Sequence, residues 1–220
     1  MNDATSDQSA DAVVELLKSR IDRTMIRENL RKSHDERLFA LESIIVFIQQ
    51  LHSPGSHPAT TQFKALLTAL RENDVSFVIV GGVAAALHGA ARITYDLDIV
   101  YDRSFENLQS LIAALAPLKA YPRDAPPGLP FRLNEETLKR GLNFKFATAK
   151  GAIDLMGELA GVGSFPVVLT HATRADVSGK PYLFLDLDTL IVARRVAGRM
   201  KDLEAIAELE AIREERVGAS

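Results

Sequence analysis

Two aspartates separated by one apolar residue, Asp96 and Asp98, carry the clearest chemical signal in the chain. They lie in an apolar, β-branched run at positions 95–101, which predicts a β-strand. Because strand side chains alternate between the two faces of a sheet, both acids share one face, roughly 6–7 Å apart. Two ionised carboxylates this close repel each other. A divalent cation between them removes the repulsion and supplies a Lewis acid for a triphosphate.

A glycine pair precedes these acids. Gly81 and Gly82 follow a short apolar strand at 77–80, and the Ala-rich stretch 83–88 predicts a helix. Without Cβ atoms the glycines let the chain turn sharply and let its backbone approach a ligand. The free N–H groups at the start of the helix favour an anion. The succession of strand, glycine turn, helix and acidic strand therefore predicts a metal and nucleotide-phosphate site.

Three further polar features could belong to a site or be purely structural. Arg92 could pair with a phosphate or with a surface acid, and the Thr94 hydroxyl could bind a phosphate or stabilise its loop. A second Asp-x-Asp pair, Asp186 and Asp188, opens a predicted helix. We interpret that pair as a helix cap, because an acid at a helix start accepts free N–H groups and matches the dipole.

At the glycine pair and the acid pair, the sequence resembles the nucleotidyltransferase superfamily, whose founding member is DNA polymerase β. The end of the chain resembles the C-terminal part of several bacterial members, including the minimal enzymes and the abortive-infection-type toxins. The resemblance implies an α/β (α+β) fold, a mixed β-sheet flanked by helices. It implies that Gly81 and Gly82 hold the triphosphate while Asp96 and Asp98 hold Mg²⁺, with Mn²⁺ as the alternative. The spacer, residues 83–95, is long for the family.

The resemblance also implies a third acid on a later strand and a basic residue near the C-terminal helices. The best match for the acid is Asp154, which lies in an apolar run after a Lys150–Gly151 turn and is expected to form a hairpin that places it beside the acid pair. It would bind metal or accept the proton of the attacking hydroxyl. Lys201 precedes an aspartate at a helix start, and it is expected to meet phosphates or to form a solvated helix junction.

Composition sets the broad class of the protein. The chain has 220 residues, 47% hydrophobic and 25% charged, with a formal net charge of −3, which is typical of a globular protein. This charge gives no support for avid, sequence-independent nucleic-acid binding, although a local basic patch stays open. The absence of cysteine excludes disulfides, thiolate metal sites and cysteine nucleophiles. We expect a cytoplasmic protein without a signal peptide or a membrane span.

The patterns divide the chain into three parts. Residues 1–10 are small and polar and are expected to be a disordered tail, and residues 11–56 form an N-terminal helical hairpin. Residues 60–217 form the nucleotidyltransferase-like domain, whose C-terminal helices begin at about residue 188. Ser33 and Glu36 have the spacing of a capping box at the start of the second hairpin helix.

The hairpin has an apolar stripe that it cannot bury alone. We expect it to pack on the domain or on another chain, through self-association or as an antitoxin-binding or regulatory arm. Residues 20–51 also loosely resemble short open reading frames that lie beside bacterial nucleotidyltransferase genes, which suggests a fused antitoxin-like module.

These features predict an enzyme that transfers a nucleoside monophosphate from an NTP to an acceptor hydroxyl of a tRNA end or a protein. It could be the toxin of a toxin–antitoxin system. One alternative is a small-molecule enzyme of the aminoglycoside-modifying type. Another is a non-catalytic nucleotide-binding or partner-binding module that uses the hairpin as its interface.

Overall fold

The sheet organises the fold, and the computed structural model describes it within residues 3–51, 61–126, 128, 130–198 and 200–218. The strands are β1 Phe77–Val80, β2 Asp96–Tyr101, β3 Tyr121–Pro122, β4 Asn143–Thr148, β5 Gly151–Met156, β6 Glu158–Leu159, β7 Gly163–Ser164, β8 Ala172–Val177 and β9 Lys180–Leu185. Seven of them form one sheet in the order β3-β4-β5-β2-β1-β9-β8, and β6 pairs with β7 separately.

Helices surround this sheet. They are α1 Asp3–Lys18, α2 Arg23–Arg31, α3 His34–Leu51, α4 Phe63–Glu72, α5 Gly81–His88, α6 Phe105–Leu115, α7 Glu135–Arg140, α8 Phe165–Thr170, α9 Leu187–Ala197 and α10 Met200–Gly218. None of the helices in the described part of the chain is both long enough and apolar enough to cross a membrane.

The sheet is mixed, as predicted. Strand β1 runs antiparallel to β2 and parallel to β9, while β2 runs parallel to β5. Strands β4 and β5 form the hairpin predicted around the Lys150–Gly151 turn, and β8 and β9 form a second hairpin. The central strand β1 is almost entirely buried, which fits its continuous apolar sequence. The α/β class with a mixed sheet and flanking helices is therefore confirmed.

The N-terminal region differs from the expected tail and two-helix hairpin. Helix α1 already begins at Asp3, so part of the segment expected to be a disordered tail is helical, and three helices instead of two precede α4. The break between α1 and α2 is set by Asp22, whose carboxylate accepts the backbone N–H of Thr24 at 2.9 Å and starts a new helix. The capping box of α3 forms as predicted, with reciprocal bonds between Ser33 and Glu36.

The N-terminal helices pack on the rest of the chain. Ile26, Leu38 and Ile45 are fully buried in the same hydrophobic core as the sheet. Helices α1 and α2 lie against α10, and α3 contacts α5 and β8. Ion pairs reinforce this contact, with Arg23 binding Glu214 at 2.6 Å. Most of the apolar stripe, including Val14, Leu38 and Leu41, is thus buried within the chain itself, whereas Ile44 and Leu51 of α3 remain exposed.

Candidate metal and nucleotide site

Three carboxylates meet on one face of the sheet. Asp96 and Asp98 are two residues apart on β2, and Asp98 lies in register with Asp154 on the parallel neighbour β5. Side chains in register on adjacent strands share a face, so the three acids converge. One oxygen of each lies within 4.8 Å of the others. The structure thus brings together the pair from the first motif and the third acid expected from the later hairpin.

This crowding changes the proton affinity of the acids. Burial, together with the charges of Asp96 and Asp154, raises the pKa of Asp98 to about 7. The charge of Arg194 and the N–H of Gly82 act on Asp98 in the opposite direction. Burial also raises the pKa of Asp154, against the opposing charge of Arg123. The site therefore holds acidic groups that are costly to ionise without a further cation.

The glycine turn packs directly on these acids. Helix α5 begins at Gly81, which has φ +63°, and a Cβ at this position would come within 2.6 Å of Cγ of Asp98. A Cβ on Gly82 would come within 2.8 Å of Cγ2 of Thr94. Only glycine fits at either position without displacing a side chain of the site. The start of α5, with its free N–H groups, is therefore held against the carboxylate cluster.

The other end of α5 is also held firmly. Gly89 ends the helix in the left-handed conformation, and its carbonyl accepts a 3.1 Å bond from Asn29 Nδ2. Arg37 of α3 donates to the carbonyl of Leu87, and Arg216 of α10 donates to the carbonyl of His88 at 3.1 Å. Cations at a helix C-terminus match its dipole. Helices from both ends of the chain thus fix the position of α5.

Thr94 and Arg92 lie on the rim of the site. The Thr94 hydroxyl donates to Oδ1 of Asp96 at 2.9 Å, so it orients one of the acids in addition to packing on the glycine turn. Arg92 lines the same cavity, and its guanidinium pairs with Glu204 at 2.7 Å on the surface. The phosphate role of Arg92 stays a prediction, and the pair with Glu204 holds its guanidinium on the surface beside the cavity.

A cavity of about 640 Å³ opens over the acids and the start of α5. The walls opposite the sheet come from α9 and α10, where Arg194 pairs with the buried Asp202 at 2.9 Å. The side chain of Lys201, expected near phosphates, lies outside the described residues. Asp186 caps α9 through the N–H of Thr189 at 2.7 Å, which agrees with the structural reading of the second Asp-x-Asp pair.

Arg123 is a site residue that sequence reasoning missed. It follows the short edge strand β3, where its N–H donates to the carbonyl of Lys145 at 2.9 Å. Its guanidinium pairs with Oδ1 of Asp154 and lies 3.6 Å from Oδ2 of Asp96. Arg123 lies at the edge of a proline-rich loop, where the sequence has no periodic pattern that would place its side chain.

The cluster suits a hard divalent ion. Carboxylate oxygens are the ligands that Mg²⁺ and Mn²⁺ take, and three acids lie close enough to share one ion. A cation, the Arg123 guanidinium, is already placed between two of them, which shows that the position attracts positive charge. The residues present therefore fit the metal that the family resemblance implies.

No protein-family profile and no curated protein matches the chain. Among solved structures, the chain is similar in fold to the antibiotic-resistance factor ANT(2'')-Ia in solution, at 15% identity and a TM-score of 0.44, over 70% of this chain and 87% of the other. A Thermotoga maritima protein provisionally assigned as a nucleotidyltransferase aligns at 16% identity and a TM-score of 0.45, over 70% and 96%. ANT(2'')-Ia in complex with adenylyl-2''-tobramycin aligns at 14% identity and a TM-score of 0.42, over 71% and 96%.

Proposed function

We propose that this chain is a metal-dependent nucleotidyltransferase, which moves a nucleoside monophosphate from an NTP to an acceptor hydroxyl and releases pyrophosphate. The observation that carries the proposal is one joint geometry. Three carboxylates on adjacent strands share a face, and the glycine start of α5 packs against Asp98 and Thr94 of the same site. A metal ligand set and an anion-binding helix start are thus parts of a single structure.

The residues divide the work between metal and nucleotide. Asp96, Asp98 and Asp154 would hold Mg²⁺ or Mn²⁺, and Thr94 fixes the orientation of Asp96 through its hydrogen bond. When bound, the ion supplies a Lewis acid that offsets negative charge developing on the α-phosphate. The backbone N–H groups at the start of α5 would hold the triphosphate, because Gly81 and Gly82 line the same cavity and such groups have no partner within the helix. The N–H of Gly82 donates to Asp98 when no nucleotide is bound.

The transfer step exchanges one phosphorus–oxygen bond for another. The acceptor oxygen forms a bond to the α-phosphorus, and the bond from that phosphorus to the pyrophosphate oxygen breaks. The proton of the acceptor hydroxyl would go to the carboxylate of Asp154, which lies in the same cluster as the two acids of β2. Pyrophosphate then leaves through the open side of the cavity.

For the acceptor we propose a tRNA end or a protein hydroxyl, in a cytoplasmic toxin of a toxin–antitoxin system. The family resemblance supports this choice of acceptor, and the absence of cysteine in the chain fits a reducing compartment. The N-terminal helices would be the part that an antitoxin contacts, because they hold the end of α5 opposite to the phosphates. An antitoxin that shifted them would move the nucleotide site.

A second function is favoured by one observation, the guanidinium of Arg123 between two of the three acids. If Arg123 stays in this position permanently, it replaces the metal, and the chain is then a non-catalytic nucleotide-binding or partner-binding module. In that case NTP would bind without any requirement for a divalent ion.

A labelling experiment separates these functions. Purified protein is incubated with Mg²⁺, total bacterial tRNA and each of the four α-labelled NTPs, beside the double variant Asp96→Ala/Asp98→Ala. We expect label to enter RNA or protein only with the intact acids. A matched control, Asp186→Ala/Asp188→Ala, changes the second Asp-x-Asp pair and should leave transfer intact.

Other outcomes count against the proposal in defined ways. Transfer to an aminoglycoside but not to RNA or protein would replace the acceptor and keep the reaction. Folded protein that labels no acceptor, yet is stabilised against heating by NTP equally with Mg²⁺ and with EDTA, would establish the non-catalytic module instead.

A further inference from the structure

Arg123 takes up the space between two acids that a metal would need. One of its terminal nitrogens pairs with Oδ1 of Asp154, and the other lies 3.6 Å from Oδ2 of Asp96. Asp98 is the member of the cluster that Arg123 does not bridge, because it faces Gly82 and the charge of Arg194. The guanidinium thus offsets the charges of Asp96 and Asp154 and does not reach Asp98.

A divalent ion and the guanidinium compete for this position. Both take oxygens of Asp96 and Asp154, and two cations held that close together repel each other. An ion shared by all three acids is a better counter-charge than a single guanidinium that reaches two of them.

The ion pairs of Arg123 with Asp96 and Asp154 are also weak enough for a metal ion to replace the guanidinium. Its side chain keeps 30% of its surface exposed, and ion pairs with access to solvent contribute little stability. Its Nε is buried and has no hydrogen-bond partner among the described residues, so the head group is not locked by further bonds. The strand that precedes it, β3, is two residues long and pairs only with β4 at the sheet edge.

We propose that Arg123 is the resident counter-cation of the carboxylate cluster, which the divalent ion displaces, so that metal loading is coupled to release of the Arg123 side chain. This inference rests on the proposed function, because it takes the cluster as a metal site. Its consequence is that Arg123 lowers the affinity for free metal and keeps the acids together before metal arrives.

The test measures metal binding without nucleotide. Mn²⁺ is titrated into the full chain, and free Mn²⁺ is followed by electron paramagnetic resonance. We expect Arg123→Gln to bind Mn²⁺ at least about tenfold more tightly than the unchanged chain, since the competing cation is gone. Arg132→Gln removes the same charge from an exposed position of the same loop, and Arg123→Lys keeps the charge; both should stay within about twofold of the unchanged chain.

The outcomes distinguish this inference from the proposed function. If Asp98→Asn abolishes Mn²⁺ binding but Arg123→Gln binds no more tightly than the unchanged chain, the inference is wrong and the metal site stands. If the unchanged chain and Asp98→Asn bind Mn²⁺ equally, or if neither they nor Arg123→Gln bind it, the metal site and the inference are both wrong.

A second measurement needs no change to Arg123 and so does not depend on that variant folding. Because the chain has no cysteine, Asp124→Cys gives a single labelling position next to Arg123. Mg²⁺ should change the emission of a fluorophore there, while the same label at Asp176→Cys on β8 should not respond. Unchanged emission at position 124 with saturating Mg²⁺ would overturn the exchange.

Discussion

Ionised Asp98 lowers the free energy of unfolding of the metal-free protein, and this cost can be measured. Its pKa is raised from the ordinary 3.8 to about 7, so the folded chain holds the Asp98 proton more tightly than the unfolded chain. The cost is absent below pH 3.8, grows as the pH rises towards 7, and is complete above that value. Each pH unit in this range adds about 1.4 kcal/mol, so the full cost is at most about 4 kcal/mol.

Replacing Asp98 by Asn keeps the shape of the side chain and removes its charge. In EDTA at pH 8 we therefore expect Asp98→Asn to unfold with a free energy up to about 4 kcal/mol higher than the unchanged chain. At pH 4.5 the gap should shrink to about 1 kcal/mol, because little of the cost remains there. Nucleotide transfer should fall by about a thousandfold, since the metal loses a ligand.

The assay is urea unfolding at both pH values, followed by circular dichroism. Asp188→Asn is the matched control, because Asp188 also belongs to an Asp-x-Asp pair but has a side chain that is 75% exposed. It should show no pH-dependent gain in stability. The reasoning is refuted if Asp98→Asn is less stable than the unchanged chain at pH 8, or if its gain is the same at both pH values.

Three further substitutions test how the site is held. Gly81→Ala should lower the free energy of unfolding by about 2 kcal/mol and weaken Mn²⁺ binding, because the new Cβ meets Asp98 at a positive φ; a stable variant with unchanged Mn²⁺ affinity contradicts this packing. Thr94→Val should lower the free energy of unfolding in urea by about 1 kcal/mol and raise the KM for NTP, because the hydrogen bond to Asp96 is lost. Thr94→Ser keeps the hydroxyl and should restore the stability and the KM. Equal values for the two variants would argue against the hydrogen bond to Asp96. Arg37→Met should lower the free energy of unfolding by about 2–3 kcal/mol, because three backbone carbonyls lose their donor. A loss below about 0.5 kcal/mol in urea unfolding would show that these three hydrogen bonds are not needed.

Local patterns were sufficient to predict the elements that position the candidate site. The apolar run before Gly81, the glycine pair and the alternation around Asp96 and Asp98 are all local signals, and the structure has the expected strand, helix and strand there. Asp154 was placed by the hairpin pattern and by the family resemblance. Its exact neighbour, Asp98, follows from the parallel pairing of β2 with β5, which no local pattern specifies.

The missed features depend on contacts between distant parts of the chain. The position of Arg123 follows from how a two-residue edge strand pairs with β4, and such a short strand has no sequence period of its own. The polar residues before position 11 have a weak helix signal, and the helix that they begin, α1, packs against α10, nearly two hundred residues later. The roles assigned to the site residues remain predictions that the experiments above address.

The docking of α1 and α2 on α10 has a consequence for the order in which the chain assembles during synthesis. Arg23 and its partner Glu214 are 191 positions apart, so the first helices leave the ribosome long before their binding surface exists. At about 5–20 residues per second, that interval lasts about 10–40 s, during which α2 has no α10 to pack on. Arg216, which donates to the carbonyl of His88 at the end of α5, is made later still. The candidate nucleotide site therefore reaches its final form only after residue 216 has been synthesised.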